Sequence, residues 1–221
     1  MSKPLVSIIV LNRNNQDLLI ECFESIINQT YDNFEIIFGD NGSEDDSWKI
    51  AQQYNVKFSN KFFLSKINNE VDVSQIFYSC FVNCRGEYFV LLSSNDRLEK
   101  NYLEKTTKHM IQDPSVGYVM TNRGKISNSD EIKVDMPYYN KSCKILPPGQ
   151  LLSYLLDPIN LDLSQILYRT NLVQSRSLTG NIASRGYASR IVDFNIACDF
   201  PVVYLKEPLV INKITSRTSP N

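Results

Sequence analysis

The chain opens on an apolar run from Val6 to Leu11, a polar turn from Asn12 to Asp17, and a segment with a helical repeat. In that segment Leu18, Leu19, Cys22, Phe23, Ile26 and Ile27 recur at i, i+1, i+4, i+5, i+8 and i+9. A second apolar run, Phe34 to Phe38, ends in Gly39, Asp40, Asn41, Gly42 and Ser43. The pattern predicts a strand–helix–strand unit with a carboxylate at the carboxyl end of its second strand. Ligands of open parallel sheets sit in the crevice outside those ends.

The alternation continues. Ser43 with Asp46 three residues on reads as a helix start of the capping-box kind, and Trp48, Ile50, Ala51 and Tyr54 supply that helix's apolar side. Phe62 to Leu64 reads as a short strand, Val73 to Cys84 as a helix, and Tyr88 to Leu92 as a strand after the break at Gly86 and Glu87. The loop Ser93, Ser94, Asn95, Asp96 precedes a helix from about Lys100 to Gln112, which Pro114 closes, and a strand from Val116 to Thr121. Such alternation predicts an α/β fold with a mainly parallel sheet covered on both faces. The second half is less regular. Residues 122–147 are polar and read as a hairpin or excursion beside the site. A short helix at Leu151 to Leu156, a strand at Ile166 to Arg169, a helical turn near Leu172 and a helix at Ile191 to Ala197 follow, with closing strands at Val202 to Tyr204 and Leu209 to Ile211.

Composition narrows the function classes. With 221 residues and 43% apolar content the chain can bury one core of ordinary size. A net charge of −1 provides no basic field, so nucleic acid is a poor partner. The five cysteines lack CxxC spacing; Cys22, Cys80, Cys84 and Cys198 fall on apolar helix faces and read as reduced core thiols. His109 is the only histidine, which argues against zinc. No apolar stretch approaches the roughly 18–20 residues of a spanning helix, and no signal peptide pattern opens the chain, so the cytoplasm is the default location. The abrupt end at 216–221 is either a natural tail or the cut edge of a longer protein.

Residues 4–43, PLVSIIVLNRNNQDLLIECFESIINQTYDNFEIIFGDNGS, resemble the opening of family 2 glycosyltransferases. There "SIIxxxxN", a helix ending "SIxNQTYxNFEII" and "DxGSxD" build the nucleotide-binding half of a GT-A fold. The resemblance implies one GT-A domain, with residues 1–97 as the nucleotide-binding half and 98–221 as the acceptor side. It implies a nucleotide-sugar donor, UDP-type first, and a saccharide or lipid-linked acceptor, in bacterial surface polysaccharide synthesis. Peripheral contact with the inner face of the membrane fits that setting. Base and ribose recognition is then expected on Leu11, Asn12, Arg13, Asn14 and Asp40, although Asp40 also reads as a turn residue satisfying local N–H groups.

The metal loop departs from the family's D-x-D-D run. Ser93 stands for the first acid and Asn95 for the second, with Ser94 between them. Asn95 can offer a carbonyl oxygen and Asp96 a shifted carboxylate, so Mg²⁺ or Mn²⁺ binding is expected to be weak; Asp96 reads equally as charge at a helix start. Phe77 and Tyr78 occupy the slots of a basic residue and an asparagine, Lys213 that of an arginine facing the diphosphate, and Thr215 that of a metal-binding histidine. The family's acid pair aligns with Ala188 and Ser189, which leaves Asp193 as the nearest carboxylate for a catalytic base, or else a solvated helix acid. Two readings follow: a transferase using Lys213, Arg13 or Arg97 as counter-charge in place of metal, or a GT-A domain that has lost chemistry and serves as a scaffold. A nucleotidyltransferase fits less well, since residues 12–15 contain no glycine.

Overall fold

A computed structural model describes residues 3–126, 132–134, 143–150, 163–176 and 187–213. β1 (Val6–Asn12) is buried almost throughout because it is central. It pairs in parallel with β2 (Phe34–Asn41) on one side and β4 (Tyr88–Ser93) on the other. β3 (Phe62–Ile67) joins β2 in parallel at the edge. Beyond β4 lie β9 (Ile166–Arg169), β6 (Tyr118–Ile126), β10 (Val202–Lys213) and the short β5 (Asp96–Leu98), in the order β3-β2-β1-β4-β9-β6-β10-β5. β9 runs antiparallel to both β4 and β6, and β10 runs parallel to β6. Three short strands, β5, β7 (Ile132–Val134) and β8 (Cys143–Leu146), pair antiparallel with β10, β6 and β10.

Strand side chains alternate between faces, and both faces are apolar because helices cover both. Ile8, Val10, Ile36, Phe38, Val90 and Leu92 join α1 (Gln16–Ile27), α2 (Ser47–Lys57) and α4 (Tyr102–Gln112) in one core. Ile9, Ile37, Phe89 and Leu91 join α3 (Val73–Phe81), α5 (Thr170–Ser175) and α6 (Tyr187–Asp199) in the other. Phe23 of α1 anchors the first core, with ring centroids 5.5 Å from Phe38 and 5.2 Å from Phe62. At the amino ends of the strands a buried polar knot fixes the sheet. Ser7 Oγ donates to Glu35 Oε1 at 2.7 Å and accepts from Gly86 N at 2.9 Å, while Arg85 closes an ion pair on Glu35 at 2.6 Å. A Cβ on Gly86 would lie 2.5 Å from Ser7 N, so only glycine permits that approach. The opposite edge of the sheet is left open to a ligand.

Several expectations need correction. Ser43 does not cap α2; its hydroxyl is spent on Asp40, and Asp45 takes the capping role by accepting from Ser47 N at 3.0 Å. Burial raises the Asp45 carboxyl, but hydrogen bonds from Ser47 and Gln16 outweigh it and hold the group below its ordinary value. α3 stops at Phe81, where Asn83 N and Cys84 N turn back to Cys80 and Phe81 carbonyls. β6 extends to Ile126, into the segment expected as an excursion, because β10 and β7 supply partners there. The two closing strands are one, β10, with register shifts around Pro208 that absorb the missing N–H. Cys22 and Cys80 are buried free thiols, Cys84 is half-buried, and Cys198 is exposed rather than in the core. The expected helix at Leu151 to Leu156, and Thr215, lie outside the described residues.

Candidate active site at the carboxyl edge of the sheet

The loop after β1 is zipped to the loop after β2 by alternate side chains. Asn12 Nδ2 donates to Asp40 Oδ1 at 3.0 Å and to Ser43 Oγ at 3.1 Å. Asn14 N donates to Ser43 Oγ at 2.9 Å, and Asn14 Oδ1 accepts from Glu44 N at 2.8 Å. Gln16 N donates to Asp45 Oδ2 at 3.0 Å, and its Oε1 accepts from Asp46 N at 2.8 Å. Asn14 sits at φ 50, a left-handed position that asparagine tolerates. Asn15 faces the other way, donating to Ser94 Oγ at 3.0 Å, while Ser94 N donates to Leu11 O at 3.1 Å. Amides therefore tie three strand ends into one floor.

Above that floor opens a cleft of about 930 Å³, lined by Leu11, Asn12, Arg13, Asn15, Asn41, Glu70, Val71, Asp72, Val73, Ile76, Leu91, Leu92, Ser93, Ser94, Asn95 and Ser164. Its far wall is the turn between β3 and α3. Asn41 holds that wall by donating to Val71 O at 2.9 Å and accepting from Val71 N at 3.0 Å. Gly42, at φ +70, packs so close that a Cβ there would lie 2.9 Å from the Asn69 and Glu70 backbone. Asp72 starts α3 by accepting from Ser74 N at 2.9 Å. Arg13 and Glu70 form an ion pair between the two loops that line the cleft.

The expected site residues divide between this cleft and its surroundings. Leu11, Asn12, Arg13, Ser93, Ser94 and Asn95 line it. Asp40 does not. It is fully buried, accepting from Asn12, from Ser43 Oγ at 2.5 Å and from Ser43 N at 3.2 Å, which fits its reading as a turn residue. Asn14 is committed to the loop zipper. The neighbour Asn41, and Glu70, Asp72 and Ser164, line the cleft without having been singled out. Asn41 and the 68–72 turn were within reach, because the strand-end rule applies to β2 and β3 as it does to β1. Ser164 was not, since it arrives from a distant segment.

Ser93 Oγ donates to Asn95 Oδ1 at 2.5 Å. Asp96, 2% exposed, accepts from Ser164 Oγ at 2.5 Å and from Asn212 Nδ2 at 2.6 Å, so each carboxylate oxygen already has a donor. The donor set of this loop does not fit a tightly held hard cation. Ser93, Ser94 and Asn95 are neutral, and the loop's one carboxylate, Asp96, is turned onto Ser164 and Asn212. Among the described residues no group of three or more His, Cys, Asp or Glu side chains could hold a metal ion. Lys213 N donates to Asn95 O at 3.1 Å, which fastens β10 to the same loop. Lys213 Nζ lies 3.0 Å from Glu21 Oε2 and Arg97 Nη1 lies 2.8 Å from Glu21 Oε1, around a small hollow next to the cleft. Burial raises the Glu21 carboxyl, but Lys213 and Arg97 together outweigh it and hold it below its ordinary value.

Asp193 does not line the cleft, and it is not a solvated acid. It is 2% exposed and accepts from Tyr168 Oη at 2.6 Å. Burial first, and then Asp193, push the Tyr168 hydroxyl well above its ordinary value. Tyr168 pairs with Phe89, four residues before Ser93 on β4, which is about 13 Å back along the strand at roughly 3.3 Å per residue.

An open, mainly parallel sheet with helices on both faces and a cleft at the carboxyl ends of β1, β2 and β4 defines an α/β protein of the GT-A type. Solved structures share that fold. S. aureus TarS 1-349 in complex with UDP superposes at a TM-score of 0.75 with 15% identity, covering 95% of this chain and 60% of that one. The mannosyltransferase PcManGT of Pyrobaculum calidifontis, solved with GDP-Man and Mn²⁺, gives 0.73 with 15% identity over 98% and 59%. The profile of glycosyl transferase family 2 matches residues 7–178, and the chain belongs to that family. Glycosyltransferase GlyG of Streptococcus pneumoniae is 30% identical over 126 residues, which is 57% of this chain and 41% of GlyG. Chondroitin synthase of Escherichia coli is 30% identical over 129 residues, 58% of this chain and 18% of the synthase. The matched stretch is thus well under two thirds of either relative. Among the described residues no helix is long and apolar enough to cross a membrane.

Proposed function

We propose that this chain transfers a sugar from a nucleotide-sugar donor, UDP-type first, to a saccharide or lipid-linked acceptor in bacterial surface polysaccharide synthesis. In this reading residues 1–97 bind the nucleotide, residues 98–221 face the acceptor, and the work is done on the cytoplasmic side of the membrane. The observation that carries it is the 930 Å³ cleft at the ends of β1, β2 and β4, within the roughly 300–1,000 Å³ of small-molecule sites. Family membership and the UDP and GDP-Man complexes of the two structural relatives support the donor class.

The chemistry asks for positive charge opposite the departing diphosphate. Arg13 is the one cation lining the cleft among the described residues. Lys213 and Arg97 stand in the adjoining hollow, bound to Glu21. Leu11, Asn12 and Arg13 on one side and Asn41 on the other frame the place for the base and ribose. Asn95, Ser93 and Ser94 offer hydroxyl and amide groups to the sugar–diphosphate. Metal would add charge neutralisation at that diphosphate, and the neutral side chains of residues 93–95 give it little to hold.

Thermal shift with UDP, UDP-sugars, GDP and GDP-sugars, each with and without Mn²⁺, tests the reading. Ligand binding to the folded state raises the melting temperature by mass action. Uridine nucleotides should raise it most, and a chelator should not abolish the effect. No response to any nucleotide would leave a scaffold role as the better account of the same cleft.

A further inference from the structure

We infer that Glu70 tunes the affinity of this cleft for phosphate ligands: it holds Arg13 as a displaceable counter-ion, so that a diphosphate must compete with Glu70 for the guanidinium and binds more weakly than Arg13 alone would allow. The inference rests on the nucleotide-binding reading above.

Arg13 and Glu70 are paired across the cleft, with side chains 46% and 50% exposed. An ion pair this open to water is weak and screened, so a better anion can displace it. A diphosphate is that anion: it carries more charge than a carboxylate and offers oxygens to the guanidinium fork. Glu70 is not a stray surface acid. Its backbone lies against Gly42, where even a methyl group would collide, and the next residue, Val71, is gripped on both its N–H and its C=O by Asn41. The carboxylate is thus presented from an anchored wall to the cation of the opposite loop.

Charge at the rim makes the pairing consequential. The cleft is lined by the cation Arg13 and the acids Glu70 and Asp72. While Arg13 stays on Glu70, an incoming anion meets a rim with no cation to offer. When phosphate oxygens replace the Glu70 carboxylate on Arg13, the ligand gains a charge-assisted contact and Glu70 turns to solvent. No covalent bond changes in this exchange. A ligand lacking the diphosphate leaves the pair in place, and its affinity does not depend on Glu70.

The test is calorimetric titration of wild type, Glu70→Gln, Arg13→Gln and the double variant with UDP, with uridine and with inorganic pyrophosphate at low and high salt. Glu70→Gln should tighten UDP and pyrophosphate by about two- to fivefold, the scale of a half-exposed pair, with no gain for uridine. The gain should vanish in the Arg13→Gln background and shrink at high salt. Weaker UDP binding in Glu70→Gln would mean that Glu70 touches the ligand itself, and would overturn the inference. Equal affinity in both proteins, or no binding of UDP or pyrophosphate to any of them, would overturn it as well. Pyrophosphate binding that responds to Glu70 without any UDP binding would uphold the counter-ion and refute the nucleotide reading alone.

Discussion

Asp40 and Asp96 both end on the chain's own donors, and that determines what their substitution does. Asp40→Ala removes the acceptor shared by Asn12 Nδ2, Ser43 Oγ and Ser43 N, so it should cost roughly 1–3 kcal/mol in stability, the penalty of buried polar groups that lose their partner. Nucleotide affinity should fall with it. Denaturant unfolding beside titration checks this: a binding loss without a stability loss would put Asp40 on the ligand instead. Asp96 joins Ser164 to Asn212, so Asp96→Asn should lower the melting temperature yet leave the response to Mn²⁺ unchanged. Ser93→Asp combined with Asn95→Asp should instead make nucleotide binding depend on Mn²⁺. Strong Mn²⁺ dependence in wild type would show Asp96 to be a ligand. The motif words located these loops correctly but not their side-chain directions. Asp40 and Asn41 are successive residues on a strand and point to opposite sides. Which one lines the cleft depends on what packs there, and the turn at 68–72 that settles it is far away in sequence.

At the scale of elements, β1, α1 and β2 were legible because their apolar periods and turn residues are local. Less legible were elements whose ends are set by distant partners, such as β6 drawn out to Ile126 between β10 and β7. The capping of α2 was misread for the same reason: Ser43 has a stronger partner in Asp40 than the helix end offers. Gly42 ties β2 to the cleft wall at φ +70. Gly42→Ala should therefore cost about 1–2 kcal/mol for the left-handed backbone alone and more from collision with residues 69–70, with weaker nucleotide binding as the wall shifts. A circular-dichroism melt and a titration on one sample give both. Glu21 joins α1 to β5 and β10 through Arg97 and Lys213. Its carboxyl is held below the ordinary 4.5, so its stabilisation is complete above about pH 4.5 and is lost as pH falls through the folded value. The acid limb of melting temperature against pH should be shallower in Glu21→Gln. An unchanged limb would mean that the pair is too solvated to matter, the usual fate of exposed pairs.

Across the whole molecule the sheet separates two jobs. Its amino-end edge is locked by Ser7, Glu35, Arg85 and Gly86, while its carboxyl-end edge carries open polar loops, so changes near the first edge should act on stability and changes near the second on binding. Asp193 is the sharpest case: the family resemblance suggests it as the nearest base, whereas it lies on α6 with its carboxylate buried against Tyr168. A general base contributes a factor of about 10²–10⁴ to turnover. Asp193→Asn should show no such loss per folded molecule and should leave nucleotide affinity unchanged. Its effect should be on unfolding, where Tyr168→Phe also costs stability, on the order of 1–3 kcal/mol for a buried polar group that loses its partner. The two should be non-additive, because they break one contact. Measuring both unfolding free energies and donor turnover in the single and double variants decides the matter: a drop in turnover of a hundredfold or more at unchanged stability would bring Asp193 into the reaction and require a movement of α6 that opens it to the cleft.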